Sequence, residues 1–225
     1  LLRKLERISL LLESRSKKIE GVVVRDRIPP GDGPHSLILM LHGWTGDEQS
    51  MWVFASHLPK DAILVSPRGL YPAAIGGYGW IEGTEEEWPQ VTVTDFRMAI
   101  DCLLALVSSY HYPSADPGVF SLIGFSQGAA LSYAMALLAP ARVHAVAGLA
   151  GFIPQGAETY IDSKPLSGKP VFVVHGTKDE VVPVSFARKS VSLLKKAGAQ
   201  VSYCEAEVGH KLSSRCFSGL ETFFT

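Results

Sequence analysis

At 225 residues the chain suits one domain, long enough to bury about 70% of its unfolded surface. Its 21 basic and 22 acidic residues leave a net charge of −1, with no basic stripe to hold a phosphate backbone, which argues against a nucleic-acid partner. Apolar residues make up 47% of the chain but fall in strand-length pieces, and no run approaches the ~18 uncharged apolar residues of a membrane span.

In residues 1–13, Leu1, Leu5, Ile8 and Leu12 share one helical stripe among charged neighbours, which predicts an amphipathic helix packed on the domain. The N-terminal segment is drawn over residues 1–20 and the main domain over residues 21–225. Residues 21–27 read as a β-branched strand, closed by a turn cluster rich in proline and glycine. Residues 36–41 are continuously apolar, as a central parallel strand covered on both faces should be. They empty into His42-Gly43-Trp44-Thr45-Gly46-Asp47, a glycine-rich loop whose main-chain N–H groups can hold a developing oxyanion. His42 could act as a base, but a role bracing the loop is preferred. A helix is expected over residues 47–58, with Met51, Phe54, Ala55 and Leu58 on one face.

Residues 62–65 form the next strand. The long loop that follows carries Tyr71, Tyr78 and Trp80 and then Glu85, Glu86 and Glu87; its aromatics are expected to wall an apolar substrate pocket. Residues 93–110 have helical periodicity. Residues 119–123 are apolar and lead into Gly124-Phe125-Ser126-Gln127-Gly128, after which Ala129, Ala130, Ala134 and Ala136 would let a helix lie close against a sheet. Strands are expected at 143–149, 171–174 and 201–204, a helix at 185–197, and a closing helix that ends near Phe223. The stretch 155–169 reads as a loop. This alternation describes one α/β domain, a mainly parallel, doubly wound sheet flanked by helices. The three cysteines, Cys102, Cys204 and Cys216, lack metal-type spacing and read as buried thiols in a reducing compartment. The expected location is cytoplasmic, with a cleaved signal upstream of Leu1 left open.

A serine lifted onto a tight strand-to-helix turn needs neighbours without side chains two residues away on each side. Gly124-x-Ser126-x-Gly128, with strand before and helix after, therefore marks Ser126 as a nucleophile. Serine needs a base, and the base needs an acid to fix its tautomer. Asp179 and then His210 follow the ends of later strands, where function gathers in such sheets. Glu180, one residue from Asp179, and His175 are the competing choices, and each is set lower by its position.

The strings Leu41-His42-Gly43, Gly124-Phe125-Ser126-Gln127-Gly128, His175-Gly176-Thr177-Lys178-Asp179-Glu180-Val181-Val182-Pro183 and Gly209-His210 resemble the α/β hydrolases of the phospholipase/carboxylesterase group, which includes acyl-protein thioesterases. The resemblance runs from about Gly21 to the end. It implies an α/β-hydrolase fold, a triad of Ser126, Asp179 and His210, and an oxyanion hole from the N–H groups of Trp44 and Gln127. In the group this loop often reads His-Gly-x-Gly-Asp; here Thr45 adds one residue, so Trp44 is the less secure of the two donors. The expected activity is hydrolysis of a small-molecule carboxylic ester through an acyl-enzyme, with thioesters and lysophospholipids as further candidates. No metal or cofactor is expected, and a monomer or homodimer is. Tyr78, Trp80, Phe152 and Val182 are expected around the substrate. Two other readings stand beside this one: a ligand-binding protein on a hydrolase scaffold, and a peptidase of the same fold.

Overall fold

A computed structural model of the chain describes residues 16–83, 90–109 and 118–224. The stripe of residues 1–13 and the three glutamates at 85–87 lie outside the described residues. Strands β1 (Lys17–Ile19), β2 (Val22–Arg27), β3 (Leu37–Leu41), β4 (Ile63–Pro67), β5 (Tyr71–Pro72), β6 (Tyr78–Gly79), β7 (Phe120–Phe125), β8 (Val143–Leu149), β9 (Pro170–Gly176) and β10 (Gln200–Ala206) alternate with helices α1 (Arg97–Ser109), α2 (Gln127–Leu138), α3 (Glu158–Ile161), α4 (Val184–Lys196) and α5 (Ser214–Phe223). Eight strands form one sheet in the order β1-β2-β4-β3-β7-β8-β9-β10. The pairs β1–β2 and β2–β4 are antiparallel, and from β4 onward every pairing is parallel.

The continuous apolar runs are sorted by the two-residue period of the pleat. Leu37, Leu39, Leu41, Ile63, Val65, Val171 and Val173 face one core layer, which α1, α2 and α4 cover with Ile100, Leu103, Leu131, Ala134, Ala187 and Leu194. Ile38, Met40, Leu64, Phe172 and Val174 face the other, closed by α5 and a 3₁₀ segment, Ser50–His57, through Leu220, Met51 and Phe54. A strand covered on both faces has no polar side, which is why these segments carry no alternation in sequence. Helix α2 is buried on nearly all sides, as a helix without a polar face must be.

Several expectations change. Lys17–Ile19, placed in the N-terminal segment, pairs with β2 across a turn whose Glu20 and Gly21 have φ of 49° and 83°. Two left-handed residues in succession suit a two-residue hairpin, so the sheet begins before residue 21. The helix expected over 47–58 is a 3₁₀ segment beginning at Ser50. The Asp47 carboxylate accepts bonds from Gln49 N–H and Ser50 Oγ at its entrance, and Pro59 holds Leu58 extended at φ −107° and ψ 154° at its exit. Helix α3 interrupts the loop expected over 155–169, and β5 and β6 form a small hairpin within the long loop.

The reading of three buried thiols fails for two of them: Cys204 on β10 and Cys216 on α5 form a disulfide with Cα atoms 6.0 Å apart, and Cys102 remains free. Both positions satisfy apolar periodicity, and the pairing exists only because α5 folds back onto β10. The reducing compartment had rested on free thiols, and that support is gone. No described helix is long and apolar enough to cross a membrane.

Candidate active site

Ser126 stands between β7 and α2 with φ 52° and ψ −115°, in the region that favours glycine, and its N–H donates to Leu149 O at 2.9 Å. The flanking glycines are sterically required. A Cβ on Gly124 would lie 2.2 Å from Gly128 O, and one on Gly128 would lie 2.1 Å from Leu41 O. The turn is thus pressed between its own helix and the end of β3, and the strained serine is held by that packing. Gly43 is tight against it, since a Cβ there would come within 3.3 Å of Ser126 Cβ.

Asp179 and His210 meet. His210 Nδ1 lies 2.8 Å from Asp179 Oδ2. A carboxylate only accepts, so Nδ1 carries the proton and Nε2 keeps its lone pair. Asp179 Oδ1 accepts the N–H groups of Val181 and Val182 at 3.0 and 2.8 Å, and the carboxylate has no exposed surface. Three hydrogen bonds and burial leave the acid one orientation. Glu180 is exposed and takes no part in this pairing. His175 is buried behind the pair; its Nε2 donates to Val182 O at 2.7 Å and lies 3.4 Å from Asp179 Oδ2. Burial holds the His175 pKa below its ordinary value.

The Phe125 ring, next to Ser126, packs at 4.9 Å against the His210 ring, which brings the end of β7 to the loop after β10. Among the described residues, no hydrogen bond reaches the Ser126 hydroxyl. Beside His210 opens a cavity of about 430 Å³ lined by Trp44, Met51, Val53, Phe54, Phe125 and Leu212, with Gly43, Thr45, Gly46, Ser50 and Lys211 completing the wall. Its floor is mostly apolar, and Val53 is 70% exposed.

None of Tyr78, Trp80, Phe152 and Val182, expected around the substrate, lines this cavity. Trp80 is 1% exposed and works as a brace: its Nε1 donates to His42 O and its N–H to Gln127 Oε1, both at 2.8 Å. Its indole N–H and flat ring meet a buried partner group that no local pattern names. The Tyr78 ring lies beneath the Arg68 guanidinium, and its hydroxyl accepts from Arg68 at 3.2 Å. Phe152 borders a separate cavity with Phe186 and Lys189, and Val182 is buried with its main chain bonded to Asp179 and His175. Of the residues that do line the cavity, Met51 and Phe54 were visible in sequence only as one apolar face of a helix.

The loop after β3 is fixed from behind. His42 Nε2 accepts Gly69 N–H at 2.8 Å, so Nδ1 is the protonated nitrogen and donates to Gly43 O at 2.7 Å. Burial lowers its pKa, and with both ring nitrogens already bonded to main chain no lone pair is left to take a proton, which agrees with a brace and not a base. Tyr78 N–H donates to Gly46 O at 2.8 Å, and the extra residue, Thr45, fits by taking φ 65° and bonding its hydroxyl to Trp44 O. No acceptor among the described residues takes the Trp44 N–H. Gln127 is the first residue of α2, so its N–H has no partner within the helix.

A mainly parallel sheet between two helical layers, with a strained serine heading the central helix and an acid–histidine pair after later strands, defines an α/β-hydrolase. A profile of the phospholipase/carboxylesterase family matches residues 26–225, and the chain belongs to that family of carboxylic-ester hydrolases. Among its curated relatives, acyl-protein thioesterase 1 of Debaryomyces hansenii is 30% identical over 183 residues, covering 72% of this chain and 78% of the relative. A probable inactive carboxylesterase of Oryza sativa subsp. japonica is 23% identical, covering 78% of each chain. Among solved structures, the Bacillus cereus carboxylesterase superposes with a TM-score of 0.76 at 18% identity, over 91% of this chain and 94% of that one. The Mesorhizobium loti carboxylesterase gives 0.74 at 21%, over 92% and 96%.

Proposed function

We propose that this chain hydrolyses carboxylic esters and thioesters of apolar acyl groups through Ser126, His210 and Asp179. The observation that carries the reading is the 2.8 Å bond from His210 Nδ1 to a buried Asp179, on an imidazole whose ring packs against the residue preceding Ser126. That bond leaves Nε2 as the basic nitrogen. The Ser126 hydroxyl would give its proton to Nε2 as Oγ attacks the acyl carbon, and the bond would close when substrate shields the pair from water. The carbonyl oxygen gains charge against the N–H groups of Trp44 and Gln127, each contributing about 3 kcal/mol to the transition state. His210 then protonates the departing alcohol or thiol. Water, deprotonated by the same nitrogen, attacks the acyl-enzyme and returns Ser126.

The apolar wall of Met51, Val53, Phe54 and Leu212 supports an aliphatic acyl chain, and the names of the thioesterase relatives support a sulfur leaving group. Steady-state hydrolysis of a series of p-nitrophenyl esters and acyl-thiocholines tests the reading. We expect measurable turnover of both, and in Ser126→Ala a fall in kcat on the order of 10⁴- to 10⁶-fold. Equal rates in the variant would end it.

The second reading, a binding protein that does not turn over, has one observation behind it, the relative named as probably inactive. Such a protein would bind a butyryl ester without releasing p-nitrophenol.

A further inference from the structure

His210 lies on the loop between β10 and α5, six residues after Cys204 and six before Cys216, so the disulfide closes a ring with the imidazole at its middle. The two halves of that ring are held differently. On the upstream side Val208 O accepts Lys178 N–H at 3.0 Å, and Gly176 is so close that a Cβ there would meet Val208 O at 2.2 Å. That half is clamped to the end of β9. On the downstream side the bonds of residues 211–213 are local: Lys211 N–H to Gly209 O, Arg215 N–H to Ser213 Oγ and Cys216 N–H to Ser213 O. This half is held by Leu212, packed on the second core layer, and by α5, which is held in turn by Cys216 itself, 1% exposed, by Leu220 in the same layer and by the ring of Phe217 stacked at 4.3 Å on His57. His57 ends the 3₁₀ segment that gives the cavity Met51, Val53 and Phe54.

We infer that the Cys204–Cys216 disulfide is a positioning element for His210, and that the hydrolase activity depends on whether the bridge is oxidised or reduced. The inference rests on His210 being the base proposed above. Asp179 fixes the imidazole through one nitrogen, which leaves rotation and sliding of the ring to the loop. With the bridge intact, both ends of the loop are anchored to neighbouring elements. A dithiol can open it. One thiolate of the reagent attacks a bridge sulfur and expels the other cysteine as a thiol, and its second sulfur then resolves the mixed disulfide. The protein gains two electrons and two protons, and the reagent leaves as its disulfide. Cys204 is half-buried on β10, the edge strand of the sheet, so the bridge lies at the margin of the fold. Cys102, on α1 across the sheet, takes no part.

A displacement of His210 by a fraction of its contact distance weakens proton transfer far more than it weakens substrate binding. Residues 43–54 make most of the cavity, and of the bridged loop only His210, Lys211 and Leu212 reach it. The consequence is a split between kcat and KM that general loosening would not give.

The test uses the whole chain with Cys102→Ser, assayed on p-nitrophenyl butyrate oxidised, after dithiothreitol, and after reoxidation. A bridge-free variant that keeps apolar packing, Cys204→Ala with Cys216→Val, is measured alongside. The expected result is no titratable thiol before reduction and two after it, kcat lower by about tenfold to hundredfold, KM within about twofold, unchanged far-ultraviolet circular dichroism, and recovery on reoxidation. Unchanged kcat in the reduced protein overturns the inference. So does a native protein whose cysteines 204 and 216 titrate as free thiols, or an activity loss that accompanies loss of helical signal in both the reduced protein and the variant. Failure of the oxidised protein to cleave any ester takes down the ester-hydrolase reading as well, whereas full activity after reduction takes down this inference alone.

Discussion

The Ser126 turn and the His210 loop carry the proposed nucleophile and the proposed base, and they are built in opposite ways. The turn is part of the core. Its backbone is forced by Gly124 against Gly128 and by Gly128 against Leu41, contacts of 2.2 and 2.1 Å for any added Cβ. The loop lies at the rim, partly exposed, and depends on one carboxylate, one clamp to β9 and one covalent bridge. A nucleophile can be fixed by close packing because it needs one strained conformation. In the proposed mechanism the base reorients between hydroxyl, leaving group and water, which suits a support that holds position without enclosing the ring.

The largest effect that would sharpen this contrast lies on the loop side. Asp179→Asn keeps the size of the acid but presents an amide that can donate to Nδ1, favouring the wrong imidazole tautomer. We expect kcat to fall on the order of 10⁴-fold with little change in thermal stability, as read by ester kinetics beside a melting curve. A loss under about tenfold would mean that His210 is not oriented by Asp179 for catalysis.

Next comes the turn. Gly124→Ala pushes a methyl into the Gly128 carbonyl and should destabilise the protein by about 3 kcal/mol or more in denaturant unfolding. Gly156→Ala, at a positive φ (+76°) that Gly124 does not share and with nothing within 4 Å, should cost only about 1 kcal/mol of backbone strain. A Gly124→Ala cost no larger than that of Gly156→Ala would show that close approach to the Gly128 carbonyl does not dictate glycine at the turn.

The smallest effect concerns acid. His42 and His175 are buried, and burial holds both pKa values below 6.5. Their unfolded counterparts bind protons below about 6.5 while the native rings do not, so stability is full above that pH and declines beneath it. Glu48, held to about 2 chiefly by its bonds from Arg68, adds a second decline that begins near its ordinary 4.5. Melting temperatures between about pH 7 and pH 3 should fall in both windows, and Glu48→Gln should make only the lower one shallower, because Glu205, bonded by Arg188 and Tyr203, is also held to about 2. A flat profile from 6.5 to 4.5 would contradict neutral buried histidines.

The contrast also explains what was legible in the sequence. Where a local backbone demand dictates residue type, the reading was direct: two glycines around Ser126, and apolar runs for doubly covered strands. The placements of Asp179 and His210 after β9 and β10 follow from strand ends, and the structure joins that pair. What escaped depends on chain segments distant in sequence. Trp80 looked like a substrate wall because an aromatic in a long loop carries no mark of the His42 carbonyl and Gln127 amide it meets. Cys204 and Cys216 looked like core thiols because apolar periodicity is the same for a thiol and a half-cystine. The cavity wall of Met51, Val53 and Phe54 was hidden in a segment whose apolar face serves both the core and the opening.

The most direct measurement of the central claim is labelling of the native protein with a fluorophosphonate, followed by mass spectrometry of the digested chain. The account predicts one phosphonyl adduct, on Ser126, formed rapidly in the wild type and at least about a hundredfold more slowly when His210→Ala removes the base. An unlabelled Ser126 in folded protein, or labelling at the same rate without the imidazole, would contradict it.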